Sequence, residues 1–178
     1  MKITMIAGSN RKNATSTQLL SYIAKKLKQL DVHVEMIDLR HLPLPLFSPD
    51  DKEIHPNAAY LRQTVKDADG LIFATPEYHG SLSGVLKNAL DYLNSDLVSG
   101  KVVLSISSAG GPLAISSLTH LQTIVRNLHG INCPEWISLG YDAHSFDEEG
   151  IPTNEKIIQR VDNSLQQLLM MTKKLHLT

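Results

Sequence analysis

Residues 2–18, KITMIAGSNRKNATSTQ, decide the fold. Lys2 to Ala7 is a short apolar run with little polar alternation, as expected of a strand buried on both faces. Gly8 to Asn13 breaks the pattern. Leu20, Ile23, Ala24, Leu27 and Leu30 then recur at helical spacing, so a helix starts at Thr15 or Ser16. A buried strand, a polar turn led by glycine and an amphipathic helix make the first half of a βαβ unit.

Working outward, the alternation repeats. Val32, Val34 and Met36 read as an edge strand with one wetter face. The stretch bearing Pro43, Pro45, Pro49 and Pro56 excludes helix and central strand, and Tyr60 to Lys66 reads as a short helix. Leu71 to Thr75 (LIFAT) is a second buried strand, stopped by Pro76, and Val85, Leu86, Ala89, Leu90 and Leu93 mark the next helix. Lys101 to Ser107 (KVVLSIS) is a third buried strand, ending near Gly110-Gly111-Pro112. Leu118, Leu121, Val125 and Leu128 give a helix, Cys133 to Leu139 a last strand, and Ile157, Val161, Leu165 and Leu168 a C-terminal helix.

The order βαβαβαβαβα predicts an α/β fold with a parallel sheet covered on both faces. With right-handed crossovers, five strands in one domain over residues 1–178 fit the doubly wound order 2-1-3-4-5. Ligands of such sheets bind beyond the carboxyl ends of the strands, where the order reverses. Function is therefore expected at Gly8–Thr17, Pro76–Gly84 and Ser107–Pro112.

Composition narrows the classes. A formal net charge of −1 lacks the basic footprint of a nucleic-acid binder. No segment approaches the roughly 20 apolar residues of a membrane span. The run from Ile3 to Ala7 is too short for a secretory signal, and Cys133, a lone cysteine, suits a reducing compartment; a cytoplasmic location is expected. The eight histidines show no metal-ligand spacing and Cys133 has no cysteine partner, so no metal site is expected. There is no GxSxG elbow for an α/β hydrolase.

In the first loop, helix-start N–H groups form a ready anion site. Ser9, Thr15, Ser16 and Thr17 add hydroxyls and Arg11 a positive charge. A plain N-cap turn would explain one hydroxyl, not four and an arginine. The loop is neither a P-loop nor a GxGxxG turn. In the second, Glu77, Tyr78 and His79 sit beside Gly80, which would let a flat ring approach the backbone; singly, Tyr78 and His79 read equally as loop packing. The third, Ser107 to Leu113, offers two glycines for close approach, or else a turn in which Pro112 opens a helix. Together the loops describe a site for a phosphate with a flat heterocycle beside it.

At these loops the sequence resembles the NADPH-dependent FMN reductase family, which includes azoreductases, quinone reductases and chromate reductases. The quoted segments GSNR…TST, PEYHGSLSGVLKNALDYL and SSAGG fall in that family's order across nearly the whole chain. The second is the most specific, and the likeness is nearest to small bacillus-type FMN-dependent azoreductases. The resemblance implies a flavodoxin-like fold with bound FMN and with NADPH or NADH as co-substrate. It implies that Ser9, Arg11, Ser16 and Thr17 hold the FMN phosphate. Pro76, Glu77, Tyr78, His79 and Gly80 would line the isoalloxazine ring, mainly through backbone groups, and Ser108, Ala109 and Gly110 would border the ring or ribityl chain. Many relatives carry Asn in place of His79, Pro in place of Ser83, and Ser in place of Ala14. The last difference shifts the phosphate donors onto Thr15 to Thr17.

The flavin carries the hydride chemistry at N5 in such enzymes, so no catalytic side chain is expected. Nicotinamide and then a quinone, azo or similar small-molecule acceptor would stack in turn on one ring face, giving ping-pong turnover. A flavodoxin-type electron carrier is the rival reading, together with a non-enzymatic flavin-binding protein. Carriers are typically strongly acidic and sandwich the flavin between aromatic rings; a net charge of −1 and a single tryptophan, Trp136, oppose that. Leu82 to Leu93 carries more apolar residues than one sheet-facing stripe needs. That excess, and the resemblance, point to a homodimer or a tetramer of paired dimers, with Lys87 and Asp91 pairing within the helix or across the interface.

Overall fold

The apolar runs become the centre of one parallel sheet in the computed structural model, which describes residues 1–176. The elements are β1 (Lys2–Ala7), α1 (Thr15–Gln29), β2 (His33–Asp38), α2 (Pro56–Lys66), β3 (Gly70–Tyr78), β4 (Ser81–Leu82), α3 (Gly84–Asp91), α4 (Ser95–Val98), β5 (Val102–Ser108), α5 (Ile115–Asn127), β6 (Ile131–Asn132), β7 (Ile137–Leu139) and α6 (Glu155–His176). The strands run in the order β2-β1-β3-β5-β6, with β7 also pairing with β5. Since β6 and β7 share one edge of β5, this is the doubly wound, flavodoxin-like order 2-1-3-4-5 expected from the sequence.

Each central strand feeds two cores. Ile3, Met5, Ile72, Leu104 and Ile106 pack on one face with α1 and α6. Ile6, Leu71, Phe73 and Val103 pack on the other with α2, α3 and α5. Strands buried on both faces have no reason to alternate in polarity, which is why β1, β3 and β5 read as continuous apolar runs. The register brings Ala7 level with Ala74, and Pro76 level with Ser108, so the polar loops leave the sheet side by side.

Four expectations are corrected. Pro76 does not stop β3, which continues to Tyr78. β1 ends opposite Ala74, so beyond that point β3 has β5 as its parallel neighbour, and the missing proline N–H disrupts no second ladder. Pro56 lies inside a helix after all, at the first position of α2, where its missing N–H has no helical partner to lose. The last strand does not run unbroken from Cys133 to Leu139; it is divided into β6 and β7 around Pro134. Pro112 does not open α5, which begins at Ile115.

The excess apolar residues of 82–93 also find a different use. Leu82, Leu86, Ala89, Leu90, Tyr92 and Leu93 are all buried within this chain. Leu82 sits on β4 and Tyr92 and Leu93 follow the last turn of α3, so they do not crowd one helix face. Lys87 and Asp91 pair within α3 at 2.7 Å.

Candidate functional site

The β1–α1 turn is built around Gly8. Its N–H donates to the Ala74 carbonyl at 2.7 Å, and a Cβ there would lie 2.6 Å from that oxygen and 2.7 Å from the Leu86 Cβ. Only glycine lets β1, β3 and α3 converge so closely. The chain then turns through Asn13, whose φ of 54° asparagine tolerates better than most residues. α1 starts at Thr15 behind Ala14, which offers no side-chain cap. Its first-turn N–H groups precede the first helical bond, from Gln18 to the Ala14 carbonyl.

Within that first turn, the hydroxyls of Ser16 and Thr17 are buried without a hydrogen-bond partner. Ser9 is buried too, and its Oγ accepts the Arg11 N–H at 3.2 Å. The Arg11 side chain is exposed and has no carboxylate partner among the described residues.

The second loop is a tight hairpin. Tyr78 pairs with Ser81 across a turn in which His79 and Gly80 have φ of 52° and 74°. Two successive positive φ values define a type I′ turn, so the turn itself requires Gly80, and Asn is the residue best suited to the place of His79. His79 is exposed and points to no hydrogen-bond partner among the described residues. One oxygen of the Glu77 carboxylate is committed: Oε2 accepts the Ser117 N–H at 2.9 Å and the Ser117 hydroxyl at 2.8 Å. It thereby caps the first turn of α5, where a negative charge is favoured.

The third loop is stapled to the end of the sheet. Ala109 N–H donates to the Leu139 carbonyl at 2.9 Å, and Tyr141 N–H to the Gly111 carbonyl at 3.0 Å. A Cβ on Gly110 would meet no protein atom within 4 Å, so the space beside it is open.

Arg11, Thr15, Pro76, Glu77, Tyr78, Ser108, Ala109 and Gly110 line one cleft of about 210 Å³ at the carboxyl ends of β1, β3 and β5. Ala14 and His144 complete its lining. Of the expected site residues, Ser9, Ser16 and Thr17 lie in the β1–α1 turn that forms one wall, and His79 and Gly80 stand at the hairpin tip beyond the lining. His144 escaped the sequence reading because it follows β7 in a stretch without periodicity; the loop after the fifth strand was the place to look.

A model of one family, NADPH-dependent FMN reductase, matches residues 1–144, the span that contains all these loops. This chain belongs to the NADPH-dependent FMN reductase family. An FMN-dependent NADPH-azoreductase of Staphylococcus aureus (strain USA300) is 38% identical over 155 residues, covering 84% of this chain and 82% of that protein. Among solved structures, the flavoenzyme NAD(P)H:(acceptor) oxidoreductase FerB from Paracoccus denitrificans superimposes with a TM-score of 0.80 at 21% identity over 97% of each chain. An NADH:FMN oxidoreductase in its apo form gives 0.77 at 21% identity, over 94% of this chain and 87% of that one. At such identities the solved structures speak for the shared fold. Membership makes the protein an FMN-dependent NAD(P)H oxidoreductase, as the resemblance implied.

No helix among the described residues is long and apolar enough to cross a membrane. No cluster of potential metal ligands occurs among them either.

Proposed function

We propose that this chain, as one domain over residues 1–178, seats FMN in the cleft at the carboxyl ends of β1, β3 and β5 and passes reducing equivalents from NADPH to quinone or azo acceptors. The observation that carries the reading is the pair of buried, unpartnered hydroxyls of Ser16 and Thr17 in the uncapped first turn of α1. Buried polar atoms are seldom left unpaired, and this pair sits where a phosphate is best received.

Ser9, Arg11, Thr15, Ser16 and Thr17 would hold the phosphate. The backbone of Pro76 to Gly80 and of Ser108 to Gly110 would flank the ring. When bound, FMN supplies the hydride chemistry. The chain orients it, keeps one wall dry and leaves the other open to a flat acceptor. Glu77 is committed to α5 and Tyr78 is exposed, so neither is assigned a proton-transfer role. The azoreductase activity named for the Staphylococcus aureus relative favours azo acceptors.

The active unit is a homodimer in this reading. Its support is the exposure of large apolar side chains in the segment packed on α3, with Leu46 84% and Phe47 43% exposed. A cytoplasmic location fits a reductase fed by NADPH.

Purified protein should be yellow, release FMN on denaturation, and oxidise NADPH when given a quinone. A colourless protein that quenches no FMN fluorescence on titration would overturn the proposal. Light scattering tests the assembly separately; a monomeric mass with full activity refutes the dimer.

A further inference from the structure

The loop after β7 brings His144 to the cleft wall beside Arg11 and Thr15. Its Nε2 is buried and has no hydrogen-bond partner. A ring nitrogen left so is uncommon in a native chain and asks for a ligand.

The side of the sheet tells which part of a ligand it meets. Phe146 and Ile151, which follow His144, pack in the core that contains α1 and α6. Lys25 Nζ, on α1, donates to the Glu149 carbonyl at 2.6 Å. The loop therefore lies on the α1 side, where Ser16 and Thr17 hold their own unpartnered hydroxyls. His144 thus lines the cleft together with Thr15, which opens the turn of α1 that carries the unpartnered Ser16 and Thr17 hydroxyls.

We propose that His144 is a cofactor-binding residue that donates from Nε2 to the FMN phosphate at the first turn of α1. This rests on the reading of that turn as the phosphate site. The chemistry suits it. Among the described residues Arg11 is the only permanent cation lining the cleft, and it is exposed; the hydroxyls and backbone N–H groups are neutral. A phosphate carries more negative charge than one arginine balances. An imidazole donor in the same cleft supplies a further charge-assisted contact.

The test uses flavin-free protein titrated with FMN and with riboflavin, followed by flavin fluorescence. His144→Ala should weaken FMN by about ten- to a hundredfold, the size of one lost bond to a charged group, and leave riboflavin within about twofold. His144→Phe, which keeps a ring in the same space but removes the donor, should behave alike. Because Nε2 has no protein partner to lose, the flavin-free variants should melt no lower than the wild type. An unchanged preference for FMN over riboflavin in both variants would overturn the role of His144 alone. Equal weakening of the two flavins would place it on the ring or ribityl chain and overturn it as well. A wild-type protein that binds riboflavin as tightly as FMN would remove the phosphate site, and this proposal with it.

Discussion

The Ser83 hydroxyl donates to the Gly8 carbonyl and accepts the Leu86 N–H at 3.1 Å. One side chain thus caps α3 and ties it to the turn after β1. The Ser83 N–H adds a bond to the Thr75 hydroxyl at 2.9 Å, which fixes the end of β3 to the same point. Ser83→Ala removes a helix cap and leaves a buried carbonyl unpaired. It should lower stability by about 1–3 kcal/mol in urea denaturation, with Ser83→Thr recovering most of the loss. An alanine variant as stable as the wild type would show that the tie contributes nothing. A proline at this position would suit the φ of −60°, but it would lack both donors that Ser83 uses.

Arg11 is exposed and lines the cleft beside the β1–α1 turn proposed to receive the phosphate. Arg11→Ala should weaken FMN by about 1.5–3 kcal/mol if the guanidinium makes a charge-assisted bond. Riboflavin, which has no phosphate, should be affected far less. Equal effects on the two flavins in a fluorescence titration would contradict this assignment.

Glu77 illustrates what sequence could and could not convey. Its place after a buried strand marked the loop as functional, because the carboxyl ends of β1, β3 and β5 were legible as apolar runs buried on both faces. Its partner was not legible, since Ser117 is 40 residues away and carries no pattern linking it to Glu77. The same limit hid β4 and α4, which are too short to show a period. It also hid His144, whose role depends on a buried nitrogen rather than on spacing. Residues 82–93 were misjudged for a related reason: helical spacing alone does not reveal that the segment leaves the helix at Tyr92.

The Glu77–Ser117 brace gives its own prediction. Glu77→Gln keeps an acceptor oxygen but loses the charge at the start of α5, and should cost about 0.3–1 kcal/mol. Glu77→Ala also leaves the Ser117 N–H uncapped and should cost about 1–2 kcal/mol. Denaturant midpoints measure both. The opposite ranking would show that the carboxylate is not the cap.

Cys133 is 2% exposed, and burial raises its thiol pKa above the ordinary range. The thiolate is the reactive form, so the folded protein should resist a thiol reagent at neutral pH and react fully in denaturant. The folded state holds this proton more tightly than the unfolded state. Its contribution to stability is thus intact at and below neutral pH and is lost as pH rises through the raised value. Cys133→Ala should flatten that part of the alkaline stability profile. Rapid labelling of the native protein would contradict the burial.

Tyr78 lines the cleft with 47% of its surface exposed, at the end of β3 and next to the turn at His79 and Gly80. Two roles are open to such a residue, a surface for ligands to stack on and a proton donor through its hydroxyl. Among the described residues no carboxylate, lysine or histidine is bonded to that hydroxyl, so nothing there relays a proton. Stacking needs only the ring. Tyr78→Phe keeps the ring and should leave flavin reduction by NADPH within about threefold of wild type in stopped-flow single turnovers. Tyr78→Ala removes the ring and should chiefly raise KM for an aromatic acceptor, because stacked aromatic pairs contribute about 0.5–1.5 kcal/mol. A loss of several orders of magnitude in the phenylalanine variant would show that the hydroxyl takes part in the chemistry. A KM unchanged in the alanine variant would show that the acceptor stacks elsewhere.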